Sequence, residues 1–307
     1  MDKRYGLLLF AASVAWGSTF PLAKILLEKI TPLTYIIIRL LFGIGVLFFI
    51  VAWRKSWREF GRCWRQNPGT FLALGLLITP GSFLLEFYGI LYTTAVNQSI
   101  LINVQAIVVV IIQVVFYKLH VRPMIWIGAL IAFTGVYLII VRPGEILFGI
   151  GTFLGDILTI FTGIGWGTYT AVGEKASRKF DPLVVITVVF SCCLVIFIPL
   201  WIILGGDAGL FLLNGGEWLM LAFLGTICTG LAYWVWYEAC RSVPAEQVAM
   251  FVYVSPLVAI VIGVAWLGEP FTLTIAIGFA LMMVGLTLAE RRSSSRIKGE
   301  QNQTINP

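Results

Sequence analysis

The sequence predicts an all-α integral membrane protein of ten transmembrane helices, built as two five-helix repeats of inverted topology around a central cavity. Three observations lead there. Of its 307 residues 59% are hydrophobic and only 12% charged, against roughly 25% charged in soluble chains. Apolar runs long enough to cross a bilayer follow one another through the chain, joined by short connections. The sequence also resembles itself at a fixed offset.

In chain order the expected spans are Tyr5 to Leu27, Leu33 to Ala52, Phe71 to Tyr92, Ala95 to Tyr117, Met124 to Val141, Thr152 to Gly173, Pro182 to Leu204, Trp218 to Cys240, Ala245 to Leu267, and Thr272 to Ala289. Each approaches or exceeds the roughly 18 residues that a helix rising 1.5 Å per residue needs to cross the hydrocarbon core. No small-residue cleavage site follows the N-terminal Met-Asp-Lys-Arg, so the first span is expected to be retained. Between the second and third spans, Trp53, Trp57, Phe60 and Trp64 alternate with Arg54, Arg58, Arg62 and Arg65. That pattern reads as a short helix lying in the cytoplasmic interface, with an irregular loop as the alternative given Gly61 and Pro68. The polar, Ser-rich stretch 290–307 reads as a disordered cytoplasmic tail.

With the N-terminus inside, 17 of the 21 Lys and Arg fall on the cytoplasmic side. Both termini are therefore expected in the cytoplasm of a multi-pass plasma-membrane protein. The net charge of +6 is a topology signal on this reading, and no nucleic-acid partner is expected. Cys63, Cys192, Cys193, Cys228 and Cys240 lack metal-ligand spacing and read as packing residues.

The repeat is explicit. Trp16-Gly17-Ser18-Thr19 aligns with Trp166-Gly167-Thr168-Tyr169 at an offset of 150, as does Lys29-Ile30-Thr31-Pro32-Leu33 with Lys179-Phe180-Asp181-Pro182-Leu183. Gly128 and Gly135 map onto Gly278 and Gly285, while Tyr88 and Gln98 match Tyr237 and Gln247 at 149. The units run over residues 5–141 and 152–289. Five helices per unit is an odd number, so the second copy enters the membrane from the opposite side, as in many secondary transporters.

These residues resemble the drug/metabolite transporter superfamily, specifically its EamA-like ten-helix exporters. The resemblance rests on Trp16-Gly17-Ser18, Arg39, Gly155-Asp156-Ile157-Leu158, Ser255-Pro256 and Leu267-Gly268-Glu269, and it covers about residues 5–289. The first half departs from it, with Lys118-Leu119-His120 where Leu267-Gly268-Glu269 stands in the second. The resemblance implies two intertwined bundles around a cavity and metabolite efflux as the default activity, with amino acids or other small metabolites as cargo.

Candidate substrate-binding residues follow from helical faces. Ser13, Gly17, Phe20 and Lys24 form a stripe on the first span, its small members suited to close helix contact and Pro21 to a kink. Thr79, Ser82, Glu86, Gly89 and Thr93 share a face of the third. A carboxylate inside a span is costly and normally faces a partner or a wet cavity. Arg39 and Glu86 each lie about six residues from the outer end of their spans, near 9 Å below it, and are expected to face each other or one cavity. They read either as a structural ion pair or as a proton carrier with its counter-ion, Arg39 also being suited to a substrate carboxylate. The amides Gln98, Gln105 and Gln247 must point inward, and Trp16, Tyr88, Trp166, Tyr169, Tyr233 and Tyr237 complete the set. Lys24, Glu174 and Glu238, near span ends, are explained by snorkelling, and Asp156 by favouring a helix N-terminus.

No cofactor, metal or enzymatic site is expected. His120 is the only histidine and no Walker pattern is present, which argues against direct ATP coupling. The expectation is a secondary active exporter of small metabolites such as amino acids, with or without proton coupling, monomeric or dimeric. The alternative is a non-transporting scaffold or lipid-headgroup-binding subunit, in which Arg39, Glu86 and the fourth-span amides would be fully paired.

Overall fold

The structure, a computed structural model, describes residues 3–117, 123–141, 150–242, 251–252 and 254–288. Gln247, Glu246, His120 and the polar tail lie outside the described residues, as do the side chains of Glu174 and Cys240. Among the described residues there is no strand, and the helices are α1 (Lys3–Leu26), α2 (Pro32–Trp53), α3 (Trp57–Gln66), α4 (Pro68–Tyr92), α5 (Ala95–Leu101), α6 (Val104–Tyr117), α7 (Pro123–Val141), α8 (Ile150–Lys179), α9 (Pro182–Ile203), α10 (Gly215–Ala239), α11 (Val254–Ala265) and α12 (Leu273–Leu288). Among the described residues, five stretches, Tyr5–Leu26, Pro32–Trp53, Pro68–Tyr92, Pro182–Ile203 and Gly215–Ala239, are long and apolar enough to cross a membrane.

Local chemistry explains where the helices begin. Proline occupies the first turn of α2 and α9, where its missing N–H is not needed, and the Thr31 and Asp181 side chains before them accept the amides of Thr34 and Leu183. The capping box of Asn214 with Glu217 opens α10. The Trp- and Arg-rich segment is helical as α3, and Phe48 of α2 stacks on its Trp57 and Phe60 at 5.9 and 5.7 Å. The fourth expected span is interrupted between α5 and α6 at Ile102 and Asn103. There the Asn103 side chain donates to the carbonyls of Ser99 and Ile100 at 2.8 and 3.1 Å, taking up the Ser99 carbonyl while the Asn103 backbone amide turns to Ile100.

Both α4 and α10 contain a π-helical turn, at Ala73–Ile78 and Leu224–Leu231. The five-residue step is visible in the side chains too, since Thr229 Oγ1 donates to the Leu224 carbonyl at 2.9 Å.

The 150-residue offset of the sequence recurs in the packing. A Cβ on Gly17 of α1 would lie 2.5 Å from the Ser255 carbonyl and 2.6 Å from Val258 Cβ of α11; one on Gly167 of α8 would lie 2.8 Å from the Gln105 carbonyl and Val108 Cβ of α6. Gly135 of α7 abuts the Gly278 carbonyl and Met282 amide of α12, while Gly285 abuts the Gly128 carbonyl and Ala132 amide in return. Gly75 meets the Val189 carbonyl and Gly225 the Arg39 carbonyl. In every pair the partners differ by the same offset, so each contact has a counterpart with the halves exchanged. Such contacts admit no side chain, which is why these positions are glycine.

The core joins α2, α4, α8, α9 and α10, with Tyr35, Phe83, Phe87, Phe190 and Phe197 among its largest buried side chains. Cys63, Cys192, Cys193 and Cys228 are buried free thiols.

Candidate functional site

At the centre of this core stand two charged side chains. Arg39 of α2 is 4% exposed and Glu86 of α4 is 5% exposed. They form no direct ion pair, although they are close enough to interact electrostatically. Of the two readings of the pair, a structural ion pair or a carrier with its counter-ion, the first would need a direct contact that the two side chains do not make. Arg39 donates from Nε to Thr229 Oγ1 at 2.5 Å and from Nη1 to the Tyr35 hydroxyl at 3.3 Å, and its guanidinium lies 5.3 Å from the Phe87 ring centroid. Its Nε, its Nη1 and its face are thus engaged by protein groups, while no acceptor bonds its Nη2 among the described residues. Thr229 is presented toward it by the π turn of α10.

Glu86 is held differently. Its Oε2 accepts from Trp166 Nε1 of α8 at 2.8 Å, and its backbone carbonyl accepts from Gln98 Nε2 of α5 at 2.6 Å. Around the carboxylate the rings form a continuous cluster. Trp166 packs against Phe83, Tyr169 and Tyr233 at 5.1, 5.5 and 6.0 Å, and Tyr233 against Trp16 and Phe190 at 5.1 and 5.4 Å. Tyr237 meets Tyr169 at 6.2 Å, and Trp16 donates from Nε1 to the Cys228 carbonyl at 2.9 Å. Near-perpendicular and tilted pairs of this kind place positive ring edges on negative faces.

Of the residues the sequence singled out, the structure therefore brings Trp16, Glu86, Gln98, Trp166, Tyr169, Tyr233 and Tyr237 into one contiguous group, with Arg39 beside it. Phe20 is buried in the same apolar core, but no ring contact joins it to the cluster among the described residues. The backbone of Gln105 sits against Gly163 and Gly167 of α8. Tyr88 is 39% exposed and does not join the group. It lies two residues beyond Glu86, which turns it some 200° around the helix.

A second polar assembly was not foreseen. Glu269, 7% exposed, accepts from Lys24 Nζ at 2.9 Å and from the Ala95 and Val96 amides at 2.8 and 2.9 Å. Lys24 also donates to the Thr93 carbonyl at 3.0 Å. Lys24 is thus an ion-pair partner, which corrects its reading as a snorkelling residue. Asp156 is fully buried one to two turns inside α8 and accepts from the Thr93 hydroxyl and from Asn97 Nδ2 at 3.3 Å. It thereby fastens segment 93–97 to α8. The available signal was topological: Lys24, Thr93, Asp156 and Glu269 all fall at the expected outer end, with charges of both signs.

The comparisons agree with this architecture. The family model of the EamA-like transporter family matches residues 3–141 and again 153–290. An uncharacterized transporter of Archaeoglobus fulgidus is 29% identical over 291 residues, covering 94% of this chain and 98% of that protein. The uncharacterized transporter YyaM of Bacillus subtilis is 24% identical over 284 residues, 92% of each chain. A crystal structure 20% identical in sequence superposes with a TM-score of 0.66 over 97% of this chain and 99% of that one, a likeness of fold. With the family model covering nearly all of its length in two matches, the chain belongs to the EamA-like transporter family, and it is a multi-pass membrane transporter.

Proposed function

We propose that the chain is a secondary active exporter of small metabolites such as amino acids, working by alternating access of two five-helix repeats, residues 5–141 and 152–289, with ten spans and both termini cytoplasmic. The observation that carries this reading is where the central site is made. Arg39 bonds Thr229, Glu86 bonds Trp166, and Trp16 packs on Tyr233, so each of these contacts joins one residue from before residue 142 to one from after residue 149. Rocking of one half against the other necessarily remodels such a site, which is the requirement of alternating access. The reciprocal glycine contacts support it, because two halves packed through equivalent contacts can exchange conformations across the membrane.

A non-transporting scaffold would have its central charges and amides paired with one another. Arg39 and Glu86 form no contact pair, and Gln98 Oε1 is buried without a hydrogen-bond partner. A polar centre left partly unsatisfied suits a ligand better than a girder.

Counterflow tests the proposal: proteoliposomes preloaded with one unlabelled metabolite at a time should accumulate its labelled form transiently. Folded protein that gives no counterflow for any member of a broad panel of amino acids and related metabolites would refute it.

A further inference from the structure

Away from the central site, α2 exposes a stripe of large apolar side chains, Leu41, Phe49 and Trp53, at the helical spacing that keeps them on one broad face. On a membrane span such a stripe meets acyl chains. It ends at Trp53, the last residue of α2, the depth at which tryptophan sits among headgroups.

Directly beyond Trp53 the chain changes character. Arg54 and Lys55 make the corner, and α3 carries Arg58, Arg62 and Arg65; all five are exposed. The three arginines of α3 lie within about 60° of one another around the helix, roughly 140° from the inward side made by Glu59, Phe60 and Cys63. Packing fixes α3 in this attitude. Phe48 stacks on Trp57 and Phe60, and Glu59 Oε2 accepts the Asp181 backbone amide at 3.1 Å, which ties α3 to the start of α9. Arg54 is steadied by α10, its guanidinium lying 4.9 Å from the Trp234 ring centroid.

These cations lack counter-ions. Glu59 is the one acidic residue between Trp53 and Asn67, and it reaches only Arg62, at 3.9 Å. Among the described residues Arg54, Lys55, Arg58 and Arg65 have no ion-pair partner. Gathered like charges favour an anion among them, and the planar guanidinium forks match the oxygens of a phosphate. An acyl-chain surface that ends on a tryptophan and runs straight into this patch fits both parts of one kind of molecule, a phospholipid of net negative charge. A second copy of the chain is a poor occupant, because it would bring the same five cations face to face.

We infer that the α2–α3 corner seats an anionic phospholipid, its headgroup among Arg54, Lys55 and the arginines of α3 and its chains along Leu41, Phe49 and Trp53. The seat is separate from the central site and adds a lipid to what the protein binds.

The purified full chain in neutral detergent micelles tests this with dansyl-labelled phosphatidylglycerol, whose binding is read as energy transfer from tryptophan. Unlabelled phosphatidylglycerol should displace the probe, whereas phosphatidylcholine should not, and neither should excess inorganic phosphate at an ionic strength held constant with sodium chloride. The double variant Arg58→Gln, Arg62→Gln should bind the probe about 10- to 30-fold more weakly, at roughly fivefold per cation. Removing two cations from the polar tail instead, Arg291→Gln with Arg292→Gln, should leave binding within twofold of wild type. The lipid comparison on wild type stands even if the α3 variant does not fold. Saturable binding that phosphatidylcholine displaces equally well overturns the inference, as does the absence of saturable binding. Displacement by inorganic phosphate would assign the patch to a free anion, and an equal loss in the tail variant would assign the binding to diffuse charge; either result overturns the inference, as does an α3 variant within twofold of wild type.

Discussion

Replacing Glu269 by alanine removes the acceptor for three donors at once. The Ala95 and Val96 amides, bonded at 2.8 and 2.9 Å, are the first two of α5 and have no intrahelical partner; the third, Asn97, is served by Thr94. Each buried amide left without an acceptor costs about 1–3 kcal/mol, so the two together cost roughly 2–6 kcal/mol. The Lys24 ion pair adds little, because the Lys24 side chain is 34% exposed, and pairs of that kind contribute about 0–1 kcal/mol. The amides therefore dominate. At ~2 °C of Tm per kcal/mol for a chain of this size, the variant should melt at least about 4 °C below wild type. Glu269→Gln, which keeps one carbonyl, should fall between them, and Lys24→Met should cost far less than Glu269→Ala. Heating in detergent with tryptophan fluorescence and size exclusion as readouts measures all three. A Glu269→Ala Tm unchanged from wild type, or a Lys24→Met loss as large as that of Glu269→Ala, would refute the capping argument.

Other outcomes follow from the same structure. Gly17→Val and Gly167→Val should each abolish recovery of folded, monodisperse protein, since even a Cβ collides with α11 or α6, whereas Gly45→Ala, with nothing within 4 Å, should be recovered like wild type. Trp166→Phe keeps a ring against Phe83 and Tyr233 but withdraws the donor from Glu86; counterflow should slow markedly while Tm changes by only a few degrees, about 1–3 kcal/mol being at stake. Asp207, in the loop after α9, is subject to burial that raises its pKa, yet the Thr31 amide, the Thr34 hydroxyl and the Gly209 amide outweigh it and hold the carboxyl below its ordinary 3.8. A depressed native pKa stabilises above the unfolded value and loses that contribution as pH falls through the native one. The Tm difference between wild type and Asp207→Asn should be constant from pH 7 to 5 and shrink below 3.8; a difference that grows on acidification would contradict this.

Membrane helices announce themselves through hydropathy, and α1, α2, α4, α9 and α10 were legible to within a few residues for that reason. The pairing of Gly17 with Gly167, and of Gly135 with Gly285, was legible because duplication leaves identical letters behind. What the sequence did not show was who bonds whom. Glu86 and Arg39 were visible as costly charges, but their partners Trp166 and Thr229 are 80 and 190 residues away, and nothing local points at them. Lys24 and Glu269, separated by 245 residues, were hidden likewise. Tyr88 matches Tyr237 at 149, whereas the glycine contacts on both sides of it keep 150, and Tyr88 is 39% exposed. Aromatic residues also serve the lipid boundary, so the letter alone does not distinguish an inward from an outward tyrosine.

The π turn at Leu224–Leu231 amounts to one surplus residue threaded into α10. Excising a single residue from it would let the helix close into ordinary α geometry, and everything downstream would swing by about 100° and retreat by about 1.5 Å relative to everything upstream. Tyr233 and Tyr237 would leave the aromatic cluster while Glu217 and Leu221 stayed where they are. The chain's hydropathy would hardly register the loss, so a helix-by-helix inventory would pronounce the deletion harmless. Insertions and deletions within this turn therefore re-aim the aromatic face of a span without altering its fitness for the bilayer, a change of side-chain direction that point substitutions do not offer.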